Sequence, residues 1–477
     1  MSGSVIQPLS TRFHVLGPGS VGSLFAYYFH RHGVPFTLFQ RKAAPLPLSG
    51  KDSDNDIDNT NIPARNDVRS SYPPTTLKYM DLTSLTTQSV GPQPIDGIDW
   101  EPLYPIIEKE LFRHDPVYNE LSRSPIHHLL VTTKTYQTVD AISKIRHRLR
   151  PWTTIVLMQN GMGVQEEICR SLGWTTEEER PNFVQGIISH GAQKMNDSIV
   201  HTGRGHVWLS PLSEVDLPTA TEGARRKWKS VPLLQNQELL KKDPKGSPYP
   251  QVIRPSPAVL TAPYPPAKTV PFAMPFTDTP FTSFYNAPST ADELKNLRKR
   301  SFYETLTALQ RLSTDMDLHI IMPDHLLALQ LSKLVVNACV NPVATLLEST
   351  NGGLLDPSEN AHPAVKDLLK ESHHILSQSD EYQALDETLR QEFLTLDALT
   401  KTTEKILRAT RQNRCSTLQD YMRGSRQCEI DYMNGYLIKM VERNMAPGTS
   451  VEKVAPLNRR VTERIKEKFA APRSSKL

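Results

Sequence analysis

Little in this chain argues for a secreted, membrane-spanning or nucleic-acid-binding protein. Only four cysteines occur among 477 residues. Cys169, Cys339, Cys415 and Cys428 are scattered, with no CxxC pair. That pattern excludes a disulfide framework and the usual zinc spacings, so no metal is expected and a reducing compartment is the plain reading. No apolar run approaches the ~20 residues that cross a bilayer, so no membrane is expected as a partner. The first ten residues, Met1 to Ser10, hold neither the apolar core of a signal peptide nor an arginine-rich presequence. Charge of one sign is lacking too, with 55 basic residues against 51 acidic. No long basic run interleaves with aromatics, which leaves nucleic acid without support as a partner. Apolar residues are scarce at 38%, mean hydropathy is −0.43, and prolines number 38. This composition predicts folded parts interrupted by poorly packed insertions, and the length predicts two domains.

What is present begins with a strand–turn–helix–strand pattern over residues 12 to 42. Phe13 to Leu16 is a short apolar run, followed by Gly17-Pro18-Gly19-Ser20-Val21-Gly22. Val21, Leu24, Phe25, Tyr28 and Phe29 then recur at helical spacing, Gly33 stops the helix, and Phe36 to Phe39 reads as a second strand. From about 43 to 100 the pattern weakens into a low-complexity insertion rich in Ser, Asp, Asn and Pro. Further strands are predicted at Ile126 to Thr133, Thr154 to Met158, Val184 to Ser189 and His206 to Leu209. Proline clusters from 211 to 290 predict a linker or surface excursion. Beyond it the apolar spacing is helical to near the end of the chain. The expected organisation is a nucleotide-binding domain over 1–210, the linker, a helical domain over 291–470 and a tail over 471–477.

Gly17, Gly19 and Gly22 form GxGxxG between a strand and a helix, the context this dinucleotide fingerprint requires. Gly17 permits the tight turn, Gly19 lets backbone approach a pyrophosphate, and Gly22 lets the helix pack on the sheet. The helix N-terminus then offers N–H groups and positive dipole to the diphosphate. After the second strand an NAD enzyme places an acid for the ribose hydroxyls. This chain has Phe39-Gln40-Arg41-Lys42 and no acid between residues 34 and 51. A guanidinium and an ammonium suit a 2′-phosphate, which points to NADPH. Lys134 and Asn160 each follow a predicted strand, at the carboxyl edge where open α/β sheets bind ligands.

In the helical half, Lys333, Asn337 and Asn341 stand at intervals of four, on one side of an otherwise apolar helix. Ser416 precedes a short helical segment with Gln419 three residues on, a capping-box arrangement. The segment from Glu429 to Gly435 follows. With GPGSVG at Gly17, KTYQ at Lys134, QNGMG at Asn160, SKLVVNACVNP at Lys333, STLQD at Ser416 and EIDYMNG at Glu429, the chain resembles the ketopantoate reductases. These motifs occur in the family's order and cover both ends of the chain outside the two insertions.

The resemblance implies an α/β Rossmann N-terminal domain plus an all-α C-terminal domain of 6-phosphogluconate dehydrogenase-like architecture, with a cleft between them. It implies NADPH-dependent reduction of 2-dehydropantoate to pantoate, a step of pantothenate synthesis. By position, Lys333 matches the catalytic lysine and Glu429 its partner carboxylate. Asn160 matches a residue that contacts cofactor and substrate, Asn337, Asn341 and Ser416 match substrate positions, and Arg41 and Lys134 match contacts near the 2′-phosphate. Hydride delivery leaves negative charge on a ketone oxygen, so an ammonium that also donates a proton suits that place. The interval between Asp420 and Glu429 is one residue longer than the family pattern, beside Gly424. Two other readings stay open: a related reductase acting on a different 2-keto acid, and a non-catalytic NADPH-binding protein that holds partners through its insertions. A homodimer is compatible with the family. Ser475-Lys476-Leu477 reads as a peroxisomal address for the import receptor, with the cytoplasm as the location without it.

Overall fold

The computed structural model describes residues 12–40, 76–81, 86–89, 99–102, 124–176, 178–194, 198–211, 288, 290–444 and 450–471. Arg41, Lys42, most of the two insertions and Ser475–Leu477 lie outside the described residues.

Strands β1 (Phe13–Leu16), β2 (Phe36–Gln40), β5 (Asp99–Pro102), β6 (Ile126–Val131), β7 (Leu149–Leu157) and β8 (Asn182–Ile188) form a parallel array in the order β5-β2-β1-β6-β7-β8. This is the doubly wound order that puts a nucleotide crevice beyond the carboxyl ends of β1 and β6. β11 (Val207–Pro211) adds antiparallel to β8, and β12 (Leu318–Ile320) closes the far edge parallel to β11. β1, β6 and β8 are buried at every residue, as strands covered on both faces must be.

The alternation of side chains divides the core into two layers. Phe13, Val15, Leu130 and Val156 pack with α1 (Ser20–Arg31) and with the late residues Leu306 and Leu309. Leu129, Val131, Ile155 and Leu157 pack on the other face with α2 (Thr138–Ile145) and α3 (Val164–Leu172). Gly33, in the left-handed region at φ 64°, ends α1 and turns the chain into β2.

Two parts of the architecture depart from the sequence reading. The 43–100 insertion contributes β5 to the main sheet. It also contributes β3 (Thr76–Asp81) and β4 (Thr86–Ser89) to a second sheet, ordered β4-β3-β10-β9 with β9 (Gly191–Lys194) and β10 (Ser198–Gly203). The second departure is α4 (Ala291–Gln310), which together with β12 belongs with the main sheet and not with the helical bundle. Ser301 Oγ donates to the His127 carbonyl at 3.1 Å, Thr305 Oγ1 meets His128 Nδ1 at 2.7 Å, and Asn182 Nδ2 donates to the Arg298 carbonyl at 2.9 Å. A helix fastened partly by polar bonds shows a weak apolar stripe, which is why its periodicity does not reveal its partner.

The helical core is built round α5 (Pro323–Leu346), which packs against α6 (Pro363–Ser377), α7 (Leu396–Ala409), α8 (Ser416–Met422) and α10 (Pro456–Ala470). α9 (Asn434–Asn444) packs in turn on α6 and α10. Among the described residues α5 alone is long and apolar enough to cross a bilayer, but 72% of that stretch is buried in the protein. Helices apolar on nearly all sides are core helices or membrane spans, and the burial of α5 places it with the former.

Candidate active site

The first wall of the site is the glycine loop. Gly17 sits at φ 105°, and a Cβ there would lie 2.6 Å from the Thr133 amide nitrogen. A side chain is therefore excluded both by backbone conformation and by the close pass of the β6 loop. At Gly22 a Cβ would meet the Gly17 carbonyl, and Thr132 Oγ1 donates to that same carbonyl at 2.7 Å. Gly19 differs, because nothing lies within 4 Å of where its Cβ would be. The loop is thus packed tight on the sheet side and open at the helix N-terminus. No side chain caps α1 and no acid stands in its first turn. An uncapped N-terminus beside open space fits the diphosphate of a dinucleotide.

The second wall is a seam between the sheet and the helical part. Lys134 follows β6, and its ammonium lies 2.7 Å from Asp420 Oδ2 and 3.6 Å from Glu429 Oε2. The Thr135 amide donates to Glu429 Oε1 at 3.1 Å. The Thr135 hydroxyl lies 2.8 Å from the same oxygen and 2.9 Å from the Asn160 carbonyl, and its one proton serves one of them at a time. Asn160 begins the turn after β7. The next residue, Gly161, approaches so closely that a Cβ would fall 2.4 Å from the Tyr432 carbonyl, and the Met162 amide donates to that carbonyl at 3.0 Å. Tyr432 Oη donates to Glu167 on α3 at 2.7 Å. The motifs at Lys134, Asn160, Ser416 and Glu429, far apart in sequence, therefore meet along one seam.

Two acids around one lysine leave this cluster one negative charge in excess. Burial works against the charge on Lys134, but Glu429 and Asp420 outweigh it and raise its pKa. Burial raises the Asp420 carboxyl, Lys134 pulls it down, and Glu429 raises it further, for a net rise.

Lys333 is arranged differently. It projects from the middle of α5, half-buried, and its ammonium donates to the Ile188 carbonyl at the end of β8 at 2.8 Å. Burial lowers its pKa to about 8, with the charge of Glu429 opposing the drop. Lys333 and Asn160 line one small open cleft together with Gln159, Ile187 and Gln330. Asn337 lies one turn further along α5, half-buried and outside that cleft. Asn341 is buried, with its amide 3.7 Å from Met433 Sδ, so in this structure it faces the helical core.

Ser416 is the first residue of α8 and not its cap. The cap is Cys415, whose sulfur accepts from the Leu418 amide at 3.4 Å, while the Gln419 side chain donates to the Arg414 carbonyl. The capping box read from the sequence does not form, because the helix starts one residue earlier than the serine suggests. Between Asp420 and Glu429, α8 ends at Met422, Gly424 turns at φ 88°, and the Ser425 amide returns to the Asp420 carbonyl.

One further link joins the motifs. Pro342 lies inside α5 and has no N–H for the carbonyl one turn back. That acceptor, the Ala338 carbonyl, receives the buried Asn434 side-chain amide at 2.8 Å. The proline of one motif is thereby matched to the asparagine of another. Sequence reasoning did not assign Thr135, Asp420, Asn434 or Gln330. The first three stand inside motifs already singled out. Gln330, three residues before Lys333, had no such signal.

The model of the family described as "Ketopantoate reductase PanE/ApbA" matches residues 103–214, and that of its C-terminal part matches 325–469, together more than half of the chain. The chain is 23% identical over 341 residues to the 2-dehydropantoate 2-reductase of Saccharomyces cerevisiae, covering 68% of this chain and 70% of the relative. It is 27% identical over 334 residues to a Schizosaccharomyces pombe protein named "Probable 2-dehydropantoate 2-reductase", covering 68% and 71%. Among solved structures, a PanE/ApbA family ketopantoate reductase from Ralstonia eutropha superposes with a TM-score of 0.50 at 12% identity, over 96% of this chain and 98% of that one. At that identity the likeness is one of fold.

Proposed function

Since this chain belongs to the ketopantoate reductase family, we propose that it reduces 2-dehydropantoate to pantoate with NADPH. The observation that carries this reading is the setting of Lys333. Its ammonium is half-buried, bonded to a backbone carbonyl, lowered to a pKa of about 8, and placed in a cleft shared with Asn160.

The glycine loop and the uncapped end of α1 are suited to the dinucleotide diphosphate, and Arg41, outside the described residues, is assigned to the 2′-phosphate. NADPH supplies the hydride when bound. The work left to the protein is at the substrate oxygen. Reduction of a 2-keto group accumulates negative charge on that oxygen, and Lys333 is the donor that neutralises and protonates it. A lysine with pKa near 8 is mostly protonated at neutral pH yet gives up its proton far more readily than an exposed one. Glu429, held by Thr135 and Lys134, keeps a negative charge near Lys333 that limits the fall of its pKa. Asn160 orients substrate and nicotinamide, and Asn337, Asn341 and Ser416 are assigned to the rest of the substrate. Asn341 would have to turn from Met433 to serve there.

The test is loss of nicotinamide absorbance with purified protein, 2-dehydropantoate and NADPH, with NADH and a panel of other 2-keto acids alongside. Rapid turnover that prefers NADPH and 2-dehydropantoate is expected. Preference for another keto acid would replace the substrate, and binding of NADPH without turnover would remove the catalytic reading. The peroxisomal address at Ser475-Lys476-Leu477 belongs to the same proposal: deleting it is expected to leave the protein cytosolic and active.

A further inference from the structure

Away from the cleft, on the last two strands of the main sheet, three side chains converge in a way the reductase chemistry does not use. β11 and β12 run parallel, with Val207 opposite Leu318 and Trp208 opposite His319. Continuing that register back by one residue sets His206 beside Asp317. His319 lies on β12, and Asp317 stands just before it in the left-handed region at φ 45°, with its carboxylate between His206 and His319. The contacts follow: His206 Nδ1 lies 2.6 Å from Asp317 Oδ2, and His319 Nε2 lies 2.7 Å from Asp317 Oδ1. All three donor atoms fall within 4.8 Å of one another.

We propose that His206, Asp317 and His319 form a binding site for one divalent ion of the zinc class. Two imidazole nitrogens and a carboxylate oxygen are the ligand set that borderline-soft late first-row ions prefer over calcium or magnesium, which take oxygen alone. A tetrahedral zinc with bonds of ~2.0–2.1 Å separates its ligand atoms by roughly 3.3 Å. Binding an ion would open the 2.6 and 2.7 Å contacts to that spacing. Each ring must then present its lone pair, so His206 carries its proton on Nε2 and His319 on Nδ1.

The backbones behind the ligands are fixed. The Val207 amide donates to the Asp317 carbonyl at 3.1 Å, and the His206 amide donates to Ser189 Oγ at 2.7 Å. Trp208, buried with Ile187, Ile321 and Leu326, lies with its ring 4.9 Å from that of His206 and gives the site an apolar back. All three ligand side chains are partly exposed, which leaves an approach for the ion and room for a water as fourth ligand. An ion there would fasten the edge strand β12 to β11. β12 leads directly into α5, and Ser189 follows Ile188, the acceptor of the Lys333 ammonium. The ion would therefore brace the sheet edge from which the helix bearing Lys333 departs, without entering the cleft.

The test uses the full-length protein stripped with a chelator and titrated with zinc, followed by calorimetry and by Tm. One equivalent is expected to bind and raise Tm. The His206→Gln/His319→Gln variant is expected to lose affinity by more than ~100-fold, beyond the 10–100-fold typical of losing an outer-shell partner. Cobalt(II) in place of zinc should give the intense visible bands of a four-coordinate site in the wild type. Should the double variant fold poorly, this wild-type spectrum decides the matter. No stoichiometric zinc binding, equal binding by a folded double variant, or only weak six-coordinate cobalt bands would each overturn the assignment.

Discussion

The two lysines of the site show how setting decides what an ammonium can do. Lys134 stands at the seam between two carboxylates, which hold its proton more firmly than water would. Lys333 stands on a core helix with only a backbone carbonyl as its hydrogen-bond acceptor among the described residues, and burial brings its pKa to about 8. The same functional group is thus a fixed counter-ion in one place and a transferable proton in the other. Coulomb attraction wins where two acids share one cation; desolvation wins where the nearest full charge is already engaged elsewhere. Glu429 is that engaged charge, and it links the two, bonded to Thr135, close to Lys134 and felt by Lys333.

The largest test of this contrast is Lys333→Ala. Loss of a positioned proton donor is expected to cut kcat by about 10²–10⁴-fold, with NADPH affinity, read by fluorescence titration, unchanged. Tm should hold or rise, since a desolvated charge is removed from α5. Activity within a few-fold of wild type would end the proton-donor assignment.

Next in size is the pH profile of kcat. Lys333 must be protonated to act, so the rate is expected to be flat below pH 8 and to fall tenfold per unit above it. Lys134, with its pKa raised, should contribute no such limb in that range. A limb that persists in Lys333→Ala residual activity would belong to another group.

The ease with which these features are read from sequence follows from how local their causes are. Gly17, Gly19 and Gly22 lie within a single strand–turn–helix, so their roles need only local geometry. β6, β8, β11 and the latter part of β7 announce themselves because buried strands read as largely apolar runs. β4 is Thr-Thr-Gln-Ser and owes its existence to pairing with β3, which no local pattern records. α4 is misplaced for a related reason, since Ser301, Thr305 and Arg298 hold it to the sheet. The motifs bring Lys134 and Glu429 to notice, but that they share a cluster with Asp420 depends on residues nearly three hundred positions apart meeting at a seam. Lys333 is legible as a lone cation on an apolar helix, whereas its bond to Ile188 is again a product of tertiary structure.

A middle-sized effect is expected at Lys134. Lys134→Met leaves Asp420 and Glu429 facing each other without their cation, at a cost of roughly 1–3 kcal/mol. That is below the loss for a fully buried pair, because Lys134 is about one-third exposed. Chemical denaturation should report it, and the loss should shrink at low pH, where an acid takes up a proton. A variant as stable as wild type would show that the seam does not depend on this ion pair.

The smallest change discriminates most finely. Asp420→Asn removes one negative charge but keeps an oxygen that can accept from Lys134, so stability should shift by about 1 kcal/mol or less. Its informative effect is on the other lysine. With Asp420 neutral, Lys134 is left to Glu429 alone and screens more of its charge. Less negative potential then reaches Lys333, whose pKa is sustained by Glu429 against burial. The alkaline limb of kcat is therefore expected to move to lower pH by a fraction of a unit, with the plateau below it unchanged. A limb that stays in place while Tm falls would mean that Asp420 serves only the seam, and that the two lysines titrate independently.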